Sequence, residues 1–281
     1  MNVLALDSST TTVGVAILCD GEPVVERAQT VKRPSSEGLL RLTDDALSAV
    51  GLTLADLDLI AVATGPGSFN GIRGGIATAE GLALALGIPA VGVPTLDALA
   101  YPHAGRAPLL RAVLPAGRGE VYTARYEGTW ADVRVVSDYT VAPPAAALED
   151  LPPGSLLCGR IPAEVAALAE RRGVSCAPSL ALSATTAAVA VLALRRMDAT
   201  GERQGGASVA DGAGQAEPGI RPLYVRRPGI TRPAGRAGIM TQASERQADE
   251  IVLQEQERER ERERQEGQAG GDPAAGRSGA R

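Results

Sequence analysis

Residues 60–73 read Ile-Ala-Val-Ala-Thr-Gly-Pro-Gly-Ser-Phe-Asn-Gly-Ile-Arg. The stretch begins inside a short apolar run, Leu59–Ala63, which is typical of a buried strand. The glycines and the proline that follow predict a turn. Apolar and small residues then recur over Ile72–Leu86, and Gly87 with Pro89 just beyond it ends the predicted helix. The stretch therefore predicts a strand, a glycine-rich loop and a helix.

The glycine-rich loop is a candidate anion site. Glycines leave several backbone N–H groups unobstructed, and the N-terminus of the following helix adds a partial positive charge. Arg73 carries a fork of donors that suits an anion or an acidic partner. A purely structural turn explains the same residues equally well, so both interpretations stay open. The candidate residues of this loop are Gly65, Gly67, Ser68, Asn70, Gly71 and Arg73.

A second candidate loop lies near the N-terminus. Val3–Leu6 and Val13–Leu18 are predicted strands, and the turn between them begins with Asp7, Ser8, Ser9 and Thr10. A carboxylate at a strand end followed by hydroxyls is one way to build a metal–phosphate site. An ordinary hydroxyl-rich turn is the favoured alternative, because no glycine lets this backbone close on a phosphate.

The predicted elements repeat along the chain. Residues 1–102 follow the order β-β-β-α-β-α-β, and the same order recurs at low resolution afterwards. The second set consists of strands at Leu109–Leu114, Glu120–Tyr126, Val133–Val141, Ser155–Cys158 and Val174–Cys176, a short helix from Pro144, and helices at Ala163–Arg172 and Ser183–Met197. Two such units predict an internally duplicated α/β protein with two lobes. We expect the lobes at residues 1–102 and 103–231, the second with a loose loop at 199–219.

The two helices of the first lobe are a candidate docking surface. The second helix is rich in Gly and Ala, and each interior Gly costs about 0.5–1 kcal/mol relative to Ala. Such a helix survives if something packs closely against it, either this protein's own sheet or a helix of another chain. Both options stay open on the residues alone. The predicted centre of a partner contact is Leu39, Leu42, Ala46, Ile76, Ala79 and Ala83.

Residues 232–281 form a predicted low-complexity tail. The tail has few bulky apolar residues and runs through alternating Glu and Arg at Glu255–Gln265. In a helix these charges attract at i,i+3 but repel at i,i+4. We expect disorder or a frayed, solvated helix, with a docking tail as the alternative.

Composition excludes several classes of protein. The formal net charge of −5 provides no global basic footprint for nucleic acid. His103, the single histidine, excludes a zinc site built on paired histidines, and we predict no bound metal; we also expect His103 to be exposed between the lobes. Lys32, the single lysine, lies in Val-Lys-Arg-Pro and excludes a P-loop. Three scattered cysteines, no leader and no long apolar span predict a cytoplasmic protein without a membrane segment.

The motifs closely resemble the bacterial TsaB (YeaZ) family. The resemblance covers about residues 1–228 and is carried by Ile60–Arg73, Leu4–Thr10, Gly119–Tyr122 and Pro222–Arg226. It departs from the family pattern at Asn70, where Thr is usual, and at Ser35, where His is common. Pro115 and Gly117 also stand where an Asp and an Arg are usual, which weakens the expectation that the second-lobe cleft binds nucleotide, although Arg118 can substitute in part.

The resemblance implies an actin-like, Hsp70-like (ASKHA) two-lobed fold. It also implies a non-catalytic subunit that supports threonylcarbamoylation of the adenosine next to the anticodon in tRNAs reading ANN codons. Such a subunit binds TsaD through the two helices of its first lobe, TsaE joins the assembly, and the partners use ATP and Mg²⁺. We expect tRNA contact only through the complex, no cofactor on this chain, and a homodimer when it is alone.

Two rival functions belong to other classes. A stand-alone ATPase or small-molecule kinase of the same fold would use Asp7 for Mg²⁺ and Gly65–Gly71 for phosphate. A direct tRNA binder is the other rival, and the acidic balance of the chain disfavours it.

Overall fold

The computed structural model describes residues 1–31, 36–129, 132–178, 184–200 and 219–225. The strands are β1 (Asn2–Asp7), β2 (Thr12–Cys19), β3 (Glu22–Thr30), β4 (Leu59–Ala63), β5 (Ala90–Val93), β6 (Leu110–Gly117), β7 (Glu120–Glu127), β8 (Arg134–Val135), β9 (Thr140–Ala142), β10 (Leu156–Gly159) and β11 (Ser175–Cys176). The α-helices are α1 (Ser36–Val50), α2 (Phe69–Leu86), α3 (Thr95–Ala100), α4 (Ala163–Arg171) and α5 (Ala184–Thr200). The predicted loop at 199–219 and the tail at 232–281 lie almost wholly outside the described residues.

The first sheet has the order β3-β2-β1-β4-β5. β1 pairs antiparallel with β2 and parallel with β4, so Ala5 lies between Ala16 and Ala61. β4 is apolar and buried throughout, as a central strand covered on both faces requires. β3 is mostly exposed and forms the edge. The order of the predicted strands in this half is confirmed.

The second sheet repeats this topology with the order β11-β10-β6-β7-β8, and β9 also pairs with β7. β6 pairs antiparallel with β7 and parallel with β10, just as β1 pairs with β2 and β4. The predicted duplicated ASKHA fold is therefore confirmed. The predicted strand Val133–Val141 is instead two short strands, β8 and β9, and the helix predicted from Pro144 is a 3-10 turn at Ala146–Leu148.

The helices that cover the two sheets are exchanged between the halves of the chain. α1 and α2 cover one face of the first sheet, while α5, from the second half, covers the other. α3, which the sequence did not predict, packs on the second sheet, opposite α4. Residues 1–228 consequently form one compact unit. The expected boundary at residue 102 separates the two sheets but not two independent cores.

Two predictions about exposure are wrong. The predicted contact residues Leu39, Leu42, Ala46, Ile76, Ala79 and Ala83 are all buried in this protein's own core. An apolar stripe on a helix turns toward the nearest apolar surface, which here is the first sheet. His103 is likewise buried in a 3-10 turn at Tyr101–His103, where desolvation and the nearby Arg106 lower its pKa. A Gly/Pro-rich connector gave no sign of that packing.

A buried carboxylate ties the exchanged helices together. Asp97 on α3 accepts hydrogen bonds from the hydroxyls of Tyr126 at 2.9 Å and Tyr139 at 2.7 Å. It also pairs with Arg196 of α5, whose Nη2 lies 3.0 Å away. Arg196 Nη1 donates to the carbonyl of Gly92 in the first sheet at 2.7 Å. Burial raises the pKa of Asp97, and these three donors oppose the rise.

Replacing Asp97 with Ala should destabilise the fold, because two tyrosine hydroxyls and a guanidinium then lose a buried acceptor. We expect Asp97→Ala to lower the free energy of unfolding by about 2–4 kcal/mol in urea titrations followed by circular dichroism. Asp45→Ala is the control, since its ion pair with Arg41 is exposed, and its loss should stay below about 1 kcal/mol. Equal losses in the two variants would contradict this role for Asp97.

Candidate functional site

The fold brings the two candidate loops into direct contact. The loop after β1 and the loop after β4 leave the same edge of the first sheet, because these strands are parallel neighbours. Ser8 Oγ donates to the carbonyl of Gly71 at 2.8 Å. The N–H of Ser68 donates to the carbonyl of Ser9 at 2.6 Å. The loops therefore bind each other through groups that an anion would otherwise use.

Glycines make this close approach possible. A Cβ atom on Gly67 would lie 2.0 Å from the carbonyl oxygen of Ser9. One on Gly75, a turn into α2, would lie 2.6 Å from Ser8 Oγ. Real Cβ atoms do not approach other atoms so closely, so position 67 requires Gly beside the Ser9 backbone, and a side chain at position 75 would displace the Ser8 hydroxyl. These glycines serve the packing of one loop against the other.

α2 begins at Phe69, three residues before the predicted start. Ser68 caps it in an extended conformation, and its side-chain oxygen accepts from the N–H of Gly71 at 3.3 Å. Gly65 adopts a φ of 102°, and its carbonyl accepts from the N–H of Thr95 at 2.7 Å. Asn70 and Arg73 are exposed on α2 and stand outside the contact between the loops.

Asp7 is buried beneath the loop that follows it. Its Oδ1 accepts from Ser9 N at 2.8 Å and Ser9 Oγ at 2.6 Å. Desolvation raises the pKa of Asp7, whereas the two bonds from Ser9 and the positive charge of Arg160 lower it. Thr10 completes the turn, since its Oγ1 accepts from the N–H of Thr12 at 3.1 Å. This carboxylate is therefore held within its own turn.

Arg160, which the sequence analysis missed, reaches this loop from the second sheet. Its Nη2 donates to Thr12 Oγ1 at 2.6 Å and its Nη1 to Thr11 Oγ1 at 3.3 Å. Arg160 follows β10 and lies far from Asp7 in the sequence, so no local pattern could have paired them. Only the folded chain places this guanidinium in front of the Asp7 loop.

The space between Asp7 and Arg160 is small. Its volume is about 10 Å³, and its lining includes Asp7, Thr95, Arg160 and Thr186. That volume accommodates about one water molecule and is too small for a phosphate group. Thr95 Oγ1 is buried there without a partner among the described residues. In this closed arrangement the loops do not form a phosphate cradle.

No metal centre is evident in the part of the chain that the structure describes. No three His, Cys, Asp or Glu side chains come together there as metal ligands would. None of the described helices has both the length and the apolar character needed to cross a membrane.

Pro115 and Gly117, which stand where the family has an Asp and an Arg, flank an irregularity in the pairing of β6 with β7.

A different surface is exposed on the other side of α2. Leu84 is 77% exposed there, and Leu40 on the neighbouring α1 is 49% exposed. Ala77 and Gly81 are exposed on the same side of α2, about two turns and one turn before Leu84, respectively. A Cβ atom on Gly81 would meet no atom of the described part of the chain within 4 Å. We call Ala77, Gly81 and Leu84 the outer helix face.

Comparison with known proteins identifies the family. The family model described as "TsaD: tRNA N6-adenosine threonylcarbamoyltransferase" matches residues 28–192, more than half of the chain. The solved structure of YeaZ from Pseudomonas aeruginosa is 28% identical with a TM-score of 0.58, over 70% of this chain and 93% of that one. The tRNA threonylcarbamoyladenosine biosynthesis protein TsaB of Escherichia coli is 36% identical over 136 residues, or 46% of this chain.

The chain belongs to the TsaB (YeaZ) proteins of the TsaD family. An uncharacterised protein of Mycobacterium tuberculosis is a further relative, 39% identical over 158 residues, which is 55% of this chain and 69% of that protein. The match to the Escherichia coli TsaB spans 58% of that protein's length. In this TsaB-family chain, the Ile60–Arg73 motif joins two loops of the same lobe and caps α2.

Gly67→Ala should destabilise this TsaB-family protein, because the added Cβ would overlap the Ser9 carbonyl. We expect a loss of about 1–3 kcal/mol in the free energy of unfolding, measured by urea titration. Gly81→Ala is the matched control on α2: it has open space around it and should raise the free energy of unfolding by about 0.5–1 kcal/mol. A stabilising effect of both substitutions would show that the loops do not need this close contact.

Proposed function

We propose that this chain is a non-catalytic subunit in the synthesis of threonylcarbamoyladenosine on tRNA. It binds and supports a TsaD-type transferase, TsaE joins the assembly, and the partners use ATP and Mg²⁺. The modified adenosine lies next to the anticodon in tRNAs that read ANN codons. This chain takes part in tRNA binding only as a member of the complex.

The outer helix face is the observation that carries this proposal. Gly81 lies in the interior of α2, where a glycine costs about 0.5–1 kcal/mol relative to Ala. Among the described residues, nothing needs the space at this position. Close approach of another helix explains why the position lacks a side chain, and Leu84 beside it is 77% exposed. The docking surface is thus the face of α2 opposite to the buried stripe first predicted.

The state of the candidate loops supports a non-catalytic role. Ser68 N–H and Ser8 Oγ, which could bind a phosphate, are bonded to the neighbouring loop instead. The carboxylate of Asp7 accepts hydrogen bonds from the N–H and the hydroxyl of Ser9 within its own turn. A kinase or ATPase reaction at this position would require these bonds to break and the space beside Arg160 to open.

Substitutions on the outer helix face should abolish partner binding without unfolding the chain. A substitution in the contact first predicted from the sequence, such as Ala79→Arg, does not test this surface, because Ala79 is fully buried in the chain's own core. Leu84→Arg places a charge on the exposed face, and we expect at least about a 100-fold loss of affinity for a TsaD-type partner in calorimetry. Gly81→Ala should weaken binding while it stabilises the free chain.

Val135→Arg is the matched control, since Val135 is 41% exposed on β8 of the second sheet. It should bind the partner as the unaltered chain does. The expected homodimer of the isolated chain uses the same face, so Leu84→Arg should also shift it toward the monomer in sedimentation velocity. Unchanged partner binding by Leu84→Arg would refute the proposed docking surface.

Reconstituted modification tests the role itself. A TsaD-type partner, TsaE, tRNA, threonine, bicarbonate and ATP, with a source of threonylcarbamoyl-adenylate, should yield modified nucleoside by mass spectrometry only when this chain is added. Leu84→Arg should reduce that yield as strongly as it reduces binding. Transfer by this chain without the TsaD-type partner would overturn the non-catalytic assignment.

A further inference from the structure

An arginine is held by two stacked aromatic side chains at the start of the outer helix face. The rings of Phe69 and Tyr224 are stacked, with centroids 5.4 Å apart. The guanidinium carbon of Arg73 lies 4.2 Å from the centre of the Phe69 ring. Arg73 Nε also donates to the hydroxyl of Tyr224 at 2.8 Å. This chain contains one Phe and five Tyr, and two of these rings are used at this surface cluster.

The backbone that carries Tyr224 of this cluster is held by hydrogen bonds to the first lobe. Tyr224 belongs to residues 219–225, whose backbone N–H groups form hydrogen bonds to the first lobe. The N–H of Leu223 donates to the carbonyl of Thr64 at 2.8 Å, and the N–H of Ile220 donates to Glu80 Oε1 at 2.6 Å. Ile220 is also buried in the core beneath α2. Tyr224 is thereby held in place to orient Arg73.

The two terminal nitrogens of Arg73 are available as hydrogen-bond donors. Among the described residues, no carboxylate forms an ion pair with Arg73, and its Nη1 and Nη2 make no hydrogen bond. The side chain is exposed. An arginine whose Nε and ring contact are already fixed loses less conformational freedom when its outer nitrogens bind an acceptor. Such a group is suited to bidentate recognition of a carboxylate.

Arg73 lies on the same stripe of α2 as the outer helix face. Arg73, Ala77, Gly81 and Leu84 follow one another at intervals of three or four residues, which aligns them along one side of a helix. A helix that packs against Gly81 therefore passes close to Arg73. The cluster has the composition of an interface anchor, in which arginine and aromatic residues are enriched.

We propose that Arg73, oriented by Phe69 and Tyr224, binds a carboxylate of the protein that docks on the outer helix face. This inference rests on the proposed function and adds the chemistry of one contact to it. A protein carboxylate is favoured over an RNA phosphate because exposed Asp44 and Asp45 lie on neighbouring α1 and the chain carries a net charge of −5. Both features repel a polyanion.

A double-substitution cycle tests the inference on the full chain. Calorimetry measures the affinity for a purified TsaD-type partner in Arg73→Ala, Tyr224→Phe and the doubly substituted chain. We expect Arg73→Ala to weaken binding about 10- to 100-fold and Tyr224→Phe about 3-fold, because the phenol then no longer orients the guanidinium. In the Arg73→Ala background, Tyr224→Phe should have no further effect.

Two controls accompany the cycle. Arg73→Lys keeps the charge but lacks the fork of donors, so it should restore at most a small part of the lost affinity. Arg134→Ala removes an exposed arginine from β8 and should leave binding unchanged. Raising the salt concentration should weaken binding of the unaltered chain more than binding of Arg73→Ala. Thermal unfolding shows whether each variant is folded.

The outcomes separate the two proposals. If Leu84→Arg loses binding while Arg73→Ala binds within twofold of the unaltered chain, the arginine anchor is wrong and the docking surface stands. Independent effects of Tyr224→Phe and Arg73→Ala would also overturn the anchor. If Arg73→Ala weakens filter binding of tRNA to the isolated chain but not binding of the protein, the carboxylate assignment is wrong. If the unaltered chain does not bind the TsaD-type partner, the proposed function fails.

Discussion

The contact between the Asp7 loop and the glycine-rich loop is the constraint on which the first lobe depends. β1 and β4 are parallel neighbours, so their following loops meet at one sheet edge and their polar backbone groups need partners. The two loops are each other's hydrogen-bond partners. Ser68 N–H donates to the carbonyl of Ser9, and Ser8 Oγ donates to the carbonyl of Gly71. Gly67 permits the approach. The start of α2, and thus the direction of its outward face, follows from this contact.

The same contact distinguishes the two uses of a glycine-rich turn before a helix. Such a turn can offer free N–H groups to a phosphate or can bring two segments of one chain together. Here the second use occupies the donors, while Arg160 closes the space in front of Asp7. The surface that we propose for partner binding is the outer helix face of α2. This arrangement supports our proposal of a binding role rather than a phosphoryl-transfer role for the lobe.

The exchange of helices gives the two sheets a common interior. α5 covers the first sheet and α3 the second, so apolar surface from both halves is buried in contiguous layers. Asp97 links these helices through Arg196, Tyr126 and Tyr139. A chain held together in this way is suited to present a fixed surface to a partner. The proposed outer helix face and the Arg73 cluster both lie on the lobe that this arrangement supports.

The sequence by itself determined the order of the strands of the first sheet and of the longer helices, because hydrophobic periodicity, apolar runs and terminating glycines are local signals. It also indicated that Asp7 and Gly65–Gly71 each follow a strand, and its motifs pointed to the right family. Only the tertiary structure decided which side of α2 is buried, since Ala79 and Gly81 are both small and look equally suited to either environment. It alone brought Arg160 to Thr12 and Tyr224 to Arg73, because contacts between residues far apart in the chain leave no local pattern.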